Sequence, residues 1–174
     1  MLTRYRMDVV CATVVEAIAQ AGGLICDRSL TGWDVSVFAT RDDACAKSDQ
    51  GLRMLGATRE ADMPAEPAGQ PLLRAIVVSG DLYHRDHAVR HWVEAAMRES
   101  RIEVLMWDTD RPAPDAGHVE MPISHAGSAF LDHALAIVDS DAVRRPSEFY
   151  RRLRTGRLRQ PVRPQTALTT VNGG

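Results

Sequence analysis

Lysine is almost absent from this chain. Of its 21 basic residues, only Lys47 is lysine and the rest are arginine. That bias reads first as the codon usage of a GC-rich genome, although arginine grips phosphate and carboxylate better than lysine does. Cysteine is scarce as well. Cys11, Cys26 and Cys45 are odd in number and show no Cys-x-x-Cys spacing. This argues against a disulfide framework or a zinc knuckle and for a reducing, cytoplasmic setting. No long apolar run is present. The N-terminal apolar stretch is interrupted by Glu16 and Gln20, too polar for a signal peptide or a membrane span, so no membrane partner is expected. Also missing are a Gly-x-Gly-x-x-Gly turn, a Gly-x-Ser-x-Gly elbow and any internal repeat. No pyrophosphate loop follows, and no catalytic residue can be assigned.

The charge that is present is unevenly placed. The formal net charge of the 174 residues is only −2. Residues 1–143 carry 13 basic and 22 acidic side chains, whereas residues 144–174 carry eight arginines and one carboxylate, Glu148. An acidic body with a basic tail leaves the tail to stay solvated, to fold back on the acidic rim of its own body or to dock on an acidic protein partner.

The pattern centres on Leu72-Leu73-Arg74-Ala75-Ile76-Val77-Val78-Ser79-Gly80-Asp81. An apolar run ending in a small residue, a glycine and a carboxylate reads as a buried parallel strand feeding a helix. Before it, residues 7–31 read as one amphipathic helix, with Val10, Val14, Ala17, Ile18, Ala21, Leu24 and Ile25 on a single stripe. Gly22-Gly23 could break that helix, and Arg28 on its apolar side must be paired or mark its end. Gly32-Trp33-Asp34-Val35-Ser36-Val37-Phe38 resembles the passage from first helix to second strand in Rossmann-type dinucleotide-binding domains, and the resemblance implies that kind of fold. No strand is read ahead of the first helix.

Residues 42–55 read as a second helix capped by Asp42-Asp43, and 57–71 as a Pro- and Gly-containing loop. A helix over 82–99, a strand over 101–107, a short proline-ended edge strand over 118–122 and a helix capped by Ser124 follow. The expected fold is α/β: a three-layer Rossmann-like sandwich with a small, mostly parallel sheet of about four strands. It occupies residues 1–143 as one domain. Residues 144–174 are expected to form a basic short helix and a disordered tail.

In such a sheet, ligands bind outside the carboxyl ends of the strands. The candidate ligand-binding residues are therefore Ser79, Gly80, Asp81, Asp108 and Asp110. Ser79 and Gly80 would offer backbone N–H groups to an anion. Asp81, Asp108 and Asp110 would hold Mg²⁺, the alternative to having no cofactor at all. Caps and turns use the same residue types. His84, His87 and His91 share one side of the 82–99 helix, but that side points away from the core and the strand-end rim, so no metal site is assigned there. Cys11 and Cys26 read as small core residues.

The tail residues Arg144, Arg145, Arg151, Arg152, Arg154 and Arg157 are the candidate partner-binding set. The leading expectation is a non-catalytic regulatory or partner-binding protein, engaging an unknown protein or a second copy of itself as a homodimer. One alternative is a nucleotide- or phosphate-type ligand binder or Mg²⁺-dependent enzyme at the strand-end rim. Another is nucleic-acid binding through the arginine-rich tail.

Overall fold

The chain begins with a strand. The computed structural model describes residues 5–41, 45–63, 74–99, 102–108 and 117–154. Tyr5–Cys11 forms β1 and Val14–Leu30 forms α1, where the pattern had suggested one continuous helix. Met7 to Cys11 is buried throughout. A strand covered on both faces shows no alternation, so its apolar residues mimic helical spacing. The boundary is set by Thr13, whose side chain accepts from Glu16 N at 3.1 Å. Glu16 reaches back to Ala12 N at 2.9 Å, a variant of the reciprocal capping box.

Gly22 and Gly23 do not break α1. A Cβ on Gly22 would lie 2.5 Å from Leu131 Cδ1, and one on Gly23 would lie 2.5 Å from Ile123 Cγ1. Glycine there lets a later helix seat against α1. Arg28 is both paired and terminal: it lies in the last turn, 4.5 Å from the centre of the Trp33 ring and 3.9 Å from the Glu103 carboxylate.

The remaining elements are β2 (Trp33–Ala39), α2 (Ala46–Met54), β3 (Thr58–Glu60), β4 (Arg74–Ser79), α3 (Gly80–Arg85), α4 (His87–Met97), β5 (Ile102–Trp107), β6 (His118–Pro122), α5 (His125–Ile137) and β7 (Ser147–Arg154). One seven-stranded sheet has the order β3-β2-β1-β4-β5-β7-β6. The first five strands in that order pair in parallel, and β7 is antiparallel to both β5 and β6. The parallel part has the 3-2-1-4-5 order of doubly wound sheets, with its reversal between β1 and β4.

An apolar cluster lies on each face. On one, α1, α2 and α5 cover Met7, Val9, Val37, Ala75, Val77, Leu105, Trp107 and Tyr150. On the other, α4 covers Val10, Phe38, Ile76, Val78, Val104 and Met106 with Val89, Trp92, Val93 and Ala96. Adjacent residues of β4 and β5 thus point into different clusters, which is why both strands read as unbroken apolar runs.

Several expectations are corrected. The sheet has seven strands rather than about four. The 57–71 loop contains β3, and its residues 64–71 lie outside the described residues. The 82–99 helix is two helices separated at Asp86, whose carboxylate accepts from Ala88 N and Val89 N and caps α4. The basic short helix after residue 143 is a strand: β7 is inserted between β5 and β6, and Tyr150 in it is fully buried. Residues 155–174, including Arg157, lie outside the described residues, as does Asp110. The edge position of β6, the Ser124 cap and the burial of Cys11 and Cys26 agree with the sequence reading.

Candidate active site

Parallel registry brings the ends of β1, β2, β4 and β5 to one rim, with Cys11 beside Ala39 and Ser79 beside Trp107. At the β1–β4 reversal, the helices that follow these two strands leave toward opposite faces. That divergence opens a crevice of about 650 Å³, lined by Ala12, Thr13, Glu16, Arg41, Ser79, Asp81, Leu82, Arg85, Asp86 and His87. Its size and place are those of a small-molecule site in a doubly wound sheet.

Glu16 is the most tightly organised side chain in the crevice. One carboxylate oxygen, Oε1, accepts from Ser79 Oγ at 2.7 Å and from Trp107 Nε1 at 3.3 Å. The other, Oε2, accepts from Ala12 N at 2.9 Å. Three donors from the ends of β1, β4 and β5 thus hold one half-buried carboxylate. A carboxylate has about four acceptor positions, so a place remains for a water or a substrate proton. Ser79 spends its hydroxyl proton on Glu16 and is an orienting group.

Across the crevice, His87 begins α4. Its Nδ1 lies 3.1 Å from Arg90 Nη2. A guanidinium only donates, so Nδ1 accepts and the neutral ring carries its proton on Nε2. The expectation that His87 points away from the rim is corrected. It assumed an unbroken helix, and the break at Asp86 swings the start of α4 to the crevice mouth. His84 and His91 are exposed, and neither lines the crevice. Among the described residues, no three of His, Cys, Asp and Glu converge to hold a metal.

Of the candidate ligand-binding residues, Ser79 and Asp81 line the crevice. Gly80 is there for packing: a Cβ on it would come within 2.7 Å of Asp108 Oδ1 and 2.8 Å of the Trp107 carbonyl. Asp108 belongs to a neighbouring cluster, where it accepts from Arg151 at 3.1 Å and lies 3.8 Å from His118 Nε2. Glu16, Arg41, Arg85, Asp86 and His87 were missed as site residues. The Thr13-x-x-Glu16 capping spacing was the signal that could have found Glu16. Arg41 stands just past the end of β2, where the strand-end rule points to the rim, whereas for Arg85 no local signal exists.

Three of the basic residues after 143 are engaged within the fold. Arg144 pairs with Asp132 at 2.8 Å, Arg151 with Asp108 and Arg152 with Glu103 at 3.3 Å. Arg145 is exposed, and Arg154 closes β7. Between these, Glu148 and Tyr150 point into the α1 side. Glu148 accepts from Gly23 N at 2.7 Å, Leu24 N at 2.9 Å and Tyr150 Oη at 2.7 Å. Burial pushes its carboxyl up to about 7 against the opposing pull of these hydrogen bonds.

No protein-family model matches the chain, and no curated protein matches its sequence. Solved structures do share its fold. A triple mutant of a deacetylase (Orf2*T) of the teicoplanin biosynthetic pathway aligns with a TM-score of 0.55 at 9% identity, over 78% of this chain and 82% of that one. The A40926 pseudoaglycone deacetylase Dbv21 aligns with a TM-score of 0.52 at 12% identity, over 77% and 81%. GalB, the 4-carboxy-2-hydroxymuconate hydratase of Pseudomonas putida KT2440, aligns with a TM-score of 0.50 at 14% identity, over 85% and 95%. At these identities the likeness is one of fold. The expectation of a non-catalytic regulatory or partner-binding module is corrected to this extent: these structures of the same fold are deacetylases and a hydratase. The chain has an enzyme-like α/β fold with an organised carboxylate at its β1–β4 crevice.

Proposed function

We propose that this protein is an enzyme that delivers water to an electrophilic carbon of a small substrate held in the β1–β4 crevice. The observation that carries the reading is the Glu16 carboxylate, held by donors from three strand ends and open on one side to the crevice. In this role Glu16 takes a proton from water as the water oxygen bonds to the substrate carbon. His87 faces the crevice from the other side, and its neutral Nε2–H donates a hydrogen bond to the atom that gains the electron pair. Glu16 then passes the proton it took from water to that atom, which restores its carboxylate and closes the proton balance. A deacetylase and a hydratase both add water to an unsaturated carbon, so the activities found on this scaffold support the same reading. Free thiols at Cys11, Cys26 and Cys45 suit a cytoplasmic enzyme.

The test is a turnover screen of the full-length protein against N-acetylated amino sugars, N-acetylated amino acids and unsaturated carboxylic acids. Amine release and loss of conjugated absorbance are the readouts. Glu16→Gln is expected to cut turnover about 10²-fold or more while leaving the thermal midpoint near that of the native chain. Turnover by Glu16→Gln within a few-fold of the native protein overturns the role given to Glu16.

A further inference from the structure

The charges around the crevice are unequally satisfied. Its three carboxylates are all engaged: Glu16 by three donors, Asp86 by the first N–H groups of α4, and Asp81 by a partner within the fold. Its two guanidiniums are not. Arg41 follows β2 and Arg85 ends α3, so they come to the same crevice from different elements. Both are exposed, and neither side chain has a hydrogen-bond or ion-pair partner among the described residues. Elsewhere, Arg6, Arg74, Arg151 and Arg152 on the sheet and Arg28 at the end of α1 are each paired with a carboxylate. Two open forks of donors, beside carboxylates that each already hold a partner, select an anionic ligand.

The kind of anion follows from the rest of the lining. Glu16, Asp81 and Asp86 place three negative charges against the two positive ones. A phosphoryl group concentrates nearly two charges on one centre, and its approach would be resisted by those carboxylates. A carboxylate carries a single charge and matches the planar guanidinium fork with two parallel hydrogen bonds. The crevice also lacks the glycine-rich turn that would surround a phosphate with backbone N–H groups. We infer that the substrate of this crevice carries a carboxylate, which Arg41 and Arg85 bind while Glu16 faces the reacting carbon. The inference rests on the reading of the crevice as the substrate site.

The test is calorimetric titration of the full-length protein at constant ionic strength with malonate, succinate, inorganic phosphate and the neutral malonamide. At least one dicarboxylate is expected to bind saturably, with phosphate weaker and malonamide silent. Arg41→Gln and Arg85→Gln should each weaken that binding about tenfold to a hundredfold, whereas Arg98→Gln, at the far end of α4, should leave it unchanged. Glu16→Gln should still bind the dicarboxylate. Overturning results are malonamide binding as well as the dicarboxylates, phosphate binding better than both, no saturable binding by either dicarboxylate, or full binding retained in both crevice arginine variants. Because binding is read separately from turnover, unchanged turnover in Glu16→Gln would sink the catalytic reading while leaving this anion measurement to stand or fall by itself.

Discussion

At the scale of single residues, buried charge is distributed by pairing. Asp8 is fully buried in the middle of β1, an unusual place for a carboxylate. It survives there because Arg6 Nε donates to one oxygen at 2.7 Å and Arg74 Nε to the other at 2.6 Å. Arg74 in turn sits 5.7 Å from the centre of the Trp92 ring, so the triad is closed over by α4. Removing one partner of a buried ionic group leaves the rest uncompensated. Asp8→Asn is therefore expected to destabilise the fold by about 3 kcal/mol, read as a lower urea midpoint with an unchanged slope. A midpoint within error of the native one would mean that the two arginines reach solvent without cost. Trp92 is buried by this arrangement. The tryptophan follows the arginine across the sheet, a relation that no spacing within α4 reveals.

Between elements, a carboxyl group ties β7 to α1 beside the packing of Tyr150. Glu148 crosses from β7 to the Gly23 and Leu24 N–H groups in the body of α1. Its carboxyl is raised from 4.5 to about 7, first by burial and then slightly by Asp27. The unfolded chain loses this proton near 4.5, whereas the folded chain keeps it until about 7. Between those values the folded state binds the extra proton, so this group's contribution to stability is full at the acid end and declines as pH rises through the window. Thermal midpoints measured from pH 4.5 to 7.5 should show this decline, and Glu148→Gln should flatten it. An equal slope in native and variant protein would assign the pH dependence to other groups.

For the whole molecule, the consequential finding is that the segment expected to be an appended tail is part of the sheet. β7 joins β5 to β6 and carries buried Tyr150 into the α1 cluster. Cutting the chain after residue 143 removes β7. It leaves β5, an apolar strand buried on both faces, as an open edge, and it leaves β6 unpaired. The 1–143 fragment is expected to lose the cooperative thermal transition of the full chain or to aggregate, as measured by circular dichroism and light scattering. A soluble fragment melting at the full-length midpoint would show the parallel strands to be self-sufficient. The placement of β7 also explains why Arg151 and Arg152 face Asp108 and Glu103: their positive charges are absorbed by the acidic side chains of the neighbouring strand.

Local chemistry alone determined much of this protein. The apolar runs of β4 and β5, the proline-ended edge strand β6, the Ser124 cap and the buried thiols were legible because each depends on residues a few positions apart. Only tertiary structure decided the rest. β1 could not be separated from α1, because a strand buried on both faces carries no alternating signal. β7 reads as polar and basic, and it becomes a strand where β5 and β6 pair with it on both sides and the α1 cluster takes up Tyr150. The crevice shows the same limit. Glu16 could have been noticed as a capping residue, but its meaning comes from Ser79 and Trp107, 63 and 91 positions further along the chain. Spacing along a sequence records what a segment prefers by itself. Which distant donors converge on one carboxylate is decided by strand order, and strand order exists only once the sheet has closed.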